Sequence, residues 1–462
     1  VKTTIHEPAR ETPLAHECDL CIIGGSCTGV FAAVRAARLG LTVALVEQNV
    51  LLGGMATAAQ VNEWHSLCDM DGKHRIIGGL TVEVLDGLRK RHAVIDLERK
   101  SRGPYAIFNS AELALDLDEL IRGHSGIRLF LKAACVTAAR EGNRLDAAII
   151  EDKTGRRAIR ARFFIDASGD GDLLRRAGFA AWRNDHLQPV NYQMMVAGLE
   201  RIIASTDHGI WAELRDLADK YGYPRENATP WINRFSAQAD LRNIYGPRLN
   251  HVDASDADAL TAALLESRRC HRALHDMIRE RFDAAITPLS PAHALGVRET
   301  WHAECLYRLS ARELLEGHGF EDAIACGTYP IDVHSPDGTL LRYLDGREDF
   351  VHKEGFTTHR RWRETSDQTP PCYHIPYRSL VPRDAENLLV AGRLIDADRE
   401  AFGGIRVMVN MNQTGEAAGV AACLALREGC PAAAVDPDGL RSALREGGSF
   451  LPETPTAGPS VR

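Results

Sequence analysis

The 462-residue sequence is short of several features, and each shortage excludes something. No apolar run approaches the ~18 residues needed to cross a bilayer; Ala417 to Leu426 is the longest, so no membrane partner is expected. Lysine is scarce, 8 against 47 arginines, and 55 cations face 63 acidic residues for a net charge of −8. A chain that neutralises nucleic-acid phosphates announces itself as basic, so a nucleic-acid partner is not expected either. The arginine bias is read as genome composition ahead of anion recognition by guanidinium forks. The 11 cysteines are odd in number and scattered, which argues against a disulfide framework and for a reducing cytoplasm. The one CxxC, Cys18 and Cys21, falls on a buried-strand pattern and reads as core filling. Clustered metal ligands are missing, and no metal is expected. Also missing are a G-x-S-x-G elbow, a phosphate-transfer motif, internal repeats and a charged-then-apolar leader, so no secretory signal is read.

What is there has an α/β texture. Cys18 to Gly25 is a short apolar run ending in glycines, Thr28 to Leu39 repeats small and apolar residues at helical spacing before Gly40, and Leu41 to Glu47 is a second apolar run. Strand, helix and strand within about 30 residues form a βαβ unit. A helix capped by Asn109–Ser110, strands at Ile127–Leu131, Leu145–Glu151 and Ala158–Ile165, a helix from Asp256 to Phe282, a strand at Asn387–Ala391 and a small-residue helix from Asn412 to Leu426 follow. The expected fold class is α/β: a split Rossmann-type dinucleotide-binding domain around a central parallel sheet, with an inserted α+β substrate domain. The expected partition is a lead-in over 1–16, the nucleotide-binding domain over 17–190 and 371–462, and the substrate domain over 191–370.

The strongest local signal is Gly24-Gly25-Ser26-Cys27-Thr28-Gly29 between the first strand and its helix. It departs from strict G-x-G-x-x-G spacing. A tight turn with close backbone approach still lets a pyrophosphate sit on the helix N-terminus, where unpaired N–H groups favour negative charge. Glu47 ends the second strand, where a carboxylate accepts ribose hydroxyls, and Gln48 beside it is counted with the cofactor contacts. A second glycine pair, Gly53-Gly54-Met55, follows, and an extended flavin dinucleotide needs that wrap more than a nicotinamide does. The loop Asp166-Ala167-Ser168-Gly169, the late Gly392-Arg393 and Val136 complete the expected cofactor surface. No second glycine motif for NAD(P)H is present. The expected cofactor is FAD.

These residues resemble a family. Gly53-Gly54-Met55, Gly296-Val297-Arg298-Glu299-Thr300, Tyr329-Pro330-Ile331-Asp332-Val333-His334, Ile375-Pro376-Tyr377-Arg378, Gly392-Arg393, Ile405-Arg406 and Thr414-Gly415 stand in an order similar to FAD-dependent oxidoreductases. The resembling members are related to fumarate reductase and the flavin subunit of heterodisulfide reductase, and often carry the label xanthan lyase. The resemblance covers nearly the whole chain and implies bound FAD, a split Rossmann domain and an inserted substrate domain, with no substrate attached. Where that family continues with a pair of arginines, this chain has Trp301-His302, so a strongly anionic substrate is not expected there. The cluster-binding cysteine sets are absent. Gly54-Met55 stands where succinate dehydrogenases carry a flavin-linking histidine, which implies a noncovalent flavin.

Flavin dehydrogenation needs a base, a partner for the reduced flavin and grips on the substrate. Arg406 and the helix start around Asn412 are assigned to the flavin, by analogy with related flavoproteins whose helix dipole aims at the ring. His65 and His302 are the leading bases, with His334 and His374 behind them, since imidazole titrates nearest neutrality. Arg298, Arg378 and Tyr377 are the expected substrate grips, and Cys68 is a minor redox candidate. The expected reaction is removal of hydride from a small polar molecule at C–O or C–N, with O₂ or another acceptor closing the cycle. A flavin monooxygenase or halogenase and a flavin-bearing electron-transfer or interaction subunit are the alternatives. A homodimer is the default assembly.

Overall fold

The computed structural model describes residues 4–99, 103–204, 210–224, 231–235, 240–283, 285–353, 355–364 and 369–452. Strand β1 (Leu14–Ile23), helix α1 (Cys27–Arg38) and strand β2 (Val43–Glu47) form the βαβ unit, with Leu20 opposite Val43 and Ile23 opposite Val46 in a parallel ladder. Every residue of β2 is buried, as a parallel strand covered on both faces must be. The main sheet runs Ile127–Leu131, β2, β1, β3 (Gly155–Asp166), Arg144–Asp152 and Ala134–Glu141, and Leu388–Val390 joins the end of β3. The pairings of Ile127–Leu131, β2, β1, β3 and Leu388–Val390 are parallel, while the Ala134–Glu141 and Arg144–Asp152 hairpin is antiparallel. This is the α/β architecture with a central parallel sheet.

β1 begins inside the segment read as a loose lead-in. Leu14, His16 and Glu17 pair with Ala158, Ile159 and Arg160, and backbone hydrogen bonds hold them without an apolar pattern to reveal it. A second sheet holds Trp231–Arg234, Leu241–Leu249, Val190–Ala197 and Thr287–Pro291 in that order, all antiparallel. Val190–Ala197 is β4 and Leu241–Leu249 is β5. Met194, Val196 and Ile244 pack on Cys270, Leu274 and Ile278 of the Ala257–Phe282 helix, which covers one face. Side chains alternate along a strand, so Gln193, Asn243 and Tyr245 point the other way. That second face meets the chain after the Gly53–Gly54 loop: Tyr245 donates to Asn62 Oδ1 at 2.6 Å and Asn243 Nδ2 donates to the Gln60 carbonyl at 2.7 Å.

Helix α2 (Met408–Glu428) starts before Asn412, the expected start, and ends at Gly429 in the left-handed region (φ 65°). It lies against α1 so closely that a Cβ at Gly415 would stand 2.1 Å from the Thr28 carbonyl oxygen, and one at Gly419 would stand 2.4 Å from that of Ala32. Among the described residues no helix is long and apolar enough to cross a membrane.

Glu416 is buried on α2, accepts the Leu80 N–H at 3.1 Å and lies 3.7 Å from Arg35 Nε of α1. Burial pushes its carboxyl up to about 7, against the pull of Arg35. Between its ordinary value and about 7 the folded chain holds a proton that the unfolded chain has released. This group's contribution to stability therefore falls as pH rises through that window, by roughly 3 kcal/mol in all. Glu416→Gln removes the dependence, so the gap in urea midpoint, variant minus wild type, is expected to grow from about pH 5 to about pH 8. A gap that stays constant across those pH values contradicts the assignment.

Candidate functional site

Four loops meet at the first turn of α1. Ser26 bridges to Gly53, whose N–H donates to the Gly25 carbonyl at 2.8 Å. Gly24 adopts φ +105°, and a Cβ there would stand 2.4 Å from the Ala167 carbonyl oxygen, so the Asp166–Gly169 loop abuts the turn. Gly392 faces Thr28 from the other side, a Cβ there falling 3.6 Å from the threonine, and its N–H donates to Thr414 Oγ1 of α2 at 3.0 Å. The Ser26 side chain makes no capping hydrogen bond, which leaves the leading N–H groups of α1 open to an anion.

Glu47 ends β2 beside that turn and is buried. One oxygen accepts the Gly25 N–H at 2.6 Å; the other accepts Asn49 N–H at 2.7 Å and Asn49 Nδ2 at 2.8 Å. This fixes the carboxylate while lone pairs remain for a diol. Lys132 and Ala133 donate to the Asn49 and Glu47 carbonyls, which brings the strand carrying half-buried Val136 alongside; Gln48 is exposed. The cradle fits the ADP half of FAD. Gly24, Gly25, Ser26, Thr28 and Gly29 would hold the pyrophosphate, and Glu47 the ribose. Met55 sits in the single turn Gly54–Ala56.

The Asp166–Gly169 loop is shaped from within. Asp166 is fully buried and accepts from Ser168 N–H, Ser168 Oγ, Leu173 N–H and Leu174 N–H. Ser168 therefore spends its hydroxyl on the loop. Arg393 pairs with Asp170, and Thr300 Oγ1 donates to Asp170 Oδ1 at 2.8 Å, so the segment after Arg298 is anchored on this loop. At its other end, His293 N–H and Ala294 N–H donate to the Ala58 carbonyl. Arg298 is thereby strung between two cofactor loops.

Around it lies a buried polar cluster. Asp332 accepts from Tyr329 Oη at 2.5 Å and from Arg406 Nη2 at 3.2 Å, and His334 Nε2 stands 3.3 Å from its other oxygen. Burial opposes the Asp332 charge, yet His334, Arg406 and the Tyr329 hydroxyl outweigh it and hold the carboxyl well below its usual range. His334 Nδ1 accepts from Thr339 Oγ1 at 2.8 Å, and burial, with Arg298 and Arg248 adding to it, pushes the imidazole down to about 3. It is neutral at physiological pH. Arg248 Nη1 approaches His334 at 3.5 Å. Burial and the charges of Arg248 and Arg406 bring Arg298 down to about 9, and burial also lowers Arg248. The His65 ring lies tilted beside Tyr329, 4.6 Å between ring centroids.

Several sequence expectations are corrected here. His302 is fully buried, stacked on Trp182 and edge-on to Phe402, with Nδ1 at 3.0 Å from the Ile395 carbonyl; no substrate reaches it. Tyr377 is buried and donates to the Ala432 carbonyl, and Arg378 grips both oxygens of Asp322. Tyr377 is a packing group, and Arg378 is an exposed side chain committed to its ion pair with Asp322. Asn412 lies a full turn inside α2 and donates to Thr81 Oγ1, so the leading N–H groups there belong to Met408 and Val409. His374 stands opposite Cys326 in a strand ladder, and burial raises the Cys68 thiol. At the Trp301-His302 patch, Trp301 stacks under Arg175 and Arg183, and the cations Arg248, Arg298 and Arg406 converge in the neighbouring cluster. Sequence reasoning does not single out Arg248, Gln188, Gln193 or Asn49, for none lies in a recognisable motif.

A family model described as FAD dependent oxidoreductase matches residues 19–444. No curated protein matches the chain. Among solved structures, a geranylgeranyl bacteriochlorophyll reductase-like protein from Thermoplasma acidophilum is 11% identical over 93% of this chain and 83% of its own, with a TM-score of 0.44. The p-nitrophenol 4-monooxygenase PnpA of Pseudomonas putida is 10% identical over 93% and 83%, with a TM-score of 0.42. PqsL of Pseudomonas aeruginosa is 14% identical over 94% and 92%, with a TM-score of 0.40.

If the α1 turn holds the cofactor, a side chain at Gly24 must expel it, because the left-handed backbone and the Ala167 carbonyl leave no room. Gly24→Val is expected to purify without flavin while Glu47→Gln keeps it with about 10-fold weaker affinity, read by flavin fluorescence on dilution. Full flavin occupancy in Gly24→Val contradicts the placement.

Proposed function

The chain belongs to the FAD-dependent oxidoreductase family, and from that premise we propose that it removes hydride from a small polar molecule at a C–O or C–N bond, with O₂ or another acceptor closing the cycle. The observation that carries the reading is the cluster of Arg298, Arg406, Asp332, His334 and Tyr329, in which Arg298 is strung between the cofactor loops and Arg406 stands next to the first turn of α2. The motif order that resembles the fumarate reductase relatives supports the same placement. We further read residues 17–190 and 371–462 as the cofactor half and 191–370 as the substrate half; the polar face of β4 and β5 over the Gln60–Asn62 segment supports this.

Bound FAD supplies a two-electron acceptor. The protein's own groups have three tasks. Arg406, paired with Asp332 at the entry to α2, sets positive charge where the helix dipole is also positive. Arg298 is held by its bond to the Pro189 carbonyl and presents the rest of its fork to the substrate. His65, half-buried beside Tyr329, takes the proton from the substrate O–H or N–H. Neutral His334 keeps Tyr329 and Asp332 in register and does not titrate near neutrality. The absence of a histidine at Gly54–Met55 supports noncovalent binding.

The test is anaerobic. Mixing the holoprotein with alcohols, amines and sugar derivatives is expected to bleach the flavin with one class of compound. His65→Gln is expected to keep its FAD and to bleach about 10²- to 10⁴-fold more slowly with that class. Unchanged bleaching in the variant removes His65 from the role of base, and failure of every compound to bleach the wild type removes the dehydrogenation reading.

A further inference from the structure

Two features of the cluster are unfinished. Asp332 is already matched by Arg406, and burial holds His334 neutral. Arg248 and Arg298 are left over: among the described residues neither has a carboxylate within ion-pair distance, though Asp332 acts on both from further off. Taking guanidinium charge out of water without a counter-charge is costly, and chains retain such an arrangement where an anion completes it. The second feature is a set of orphaned amides. Gln188 is 1% exposed and its side-chain oxygen accepts the His334 backbone N–H at 3.4 Å, while its Nε2 has no partner among the described residues. Gln193 is fully buried on the polar face of β4, and neither its oxygen nor its nitrogen has one. Buried amides are almost always hydrogen-bonded, so these atoms still call for a donor-and-acceptor partner. Asn191 and Gln193 alternate with the core-facing residues of β4; Asn191 pairs in register with Arg248 and Gln193 with Tyr245, which puts Gln193 and Arg248 on the same face of the sheet.

We propose that the site takes a hydroxy acid or sugar acid, its carboxylate held between Arg248 and Arg298 and its hydroxyls completing the hydrogen bonds of Gln188 and Gln193. This rests on the oxidoreductase reading and narrows its substrate class. A carboxylate alone satisfies the guanidiniums and leaves the amides unpaired; a neutral polyol does the reverse. Only a molecule with both kinds of group satisfies the whole wall. A hydroxyl held by the glutamines is also a C–O centre of the kind the proposed reaction oxidises.

The experiment is a titration of the FAD-loaded protein with D-gluconate, L-lactate, acetate and D-glucose, read by perturbation of the flavin spectrum and independently by thermal shift. Gluconate or lactate is expected to bind at least about 10-fold more tightly than acetate or glucose. Arg248→Gln is expected to weaken the acids by about 10- to 100-fold and leave glucose unchanged. Gln193→Leu is expected to abolish the preference for gluconate over acetate. Glucose binding as tightly as gluconate, or no acid shifting either signal in the wild type, overturns the proposal. The wild-type comparison stands even if a variant fails to fold. A protein that holds FAD yet ignores every acid fails here while the oxidoreductase reading survives, whereas one without FAD fails that reading first.

Discussion

The contact between α1 and α2 is what the site depends on. Gly415 and Gly419 let the two helices touch backbone to backbone, against the carbonyls of Thr28 and Ala32. That closeness sets the first turn of α1 against α2 about two turns past its start, so the two helices run side by side, and neither leading turn is capped by a side chain. Leading N–H groups without partners carry partial positive charge. One helix therefore presents that charge between Glu47 and the glycine loops, and the other presents it beside Arg406 and Asp332. A larger residue at either glycine would separate the two helices and uncouple the cofactor cradle from the polar cluster.

The polar cluster then follows from charge. Three guanidiniums converge on one carboxylate and a neutral imidazole, so the cluster is positive and short of anions. The neighbouring sheet adds a polar face where its other face is ordinary apolar core. A strand divided in this way has one side that packs in the core and one side that carries polar groups. The Ala257–Phe282 helix accounts for the first, and the cofactor loops lie under the second.

Much of the cradle is legible in the sequence because it is local. Gly24 to Gly29, Glu47 and Gly53–Gly54 fall within about 30 residues, and their roles follow from turn geometry and strand ends. The start of α2 is misread because Val407 and Met408 carry no capping signal to mark it. The substrate side is only partly legible: Arg298, Asp332 and Arg406 stand in the motifs that carry the resemblance, whereas Arg248, Gln188 and Gln193 stand in none and are brought to them across long separations in the chain. His302, Tyr377 and Arg378 mislead for the converse reason. They stand in motifs and are reactive residue types, but their polar atoms are consumed by Ile395, Ala432 and Asp322. The leading polar residues of β1 escape notice because backbone pairing needs no apolar side chains.

The central claim is that the α1 turn and Glu47 hold FAD without a covalent tether. The most direct test is the visible spectrum of the purified wild-type protein, followed by acid precipitation and identification of the flavin in each fraction. The account predicts an oxidised-flavin spectrum and FAD recovered in the supernatant in a one-to-one ratio with the chain. Flavin retained in the pellet, or a colourless protein that takes up no FAD when it is added, would contradict it.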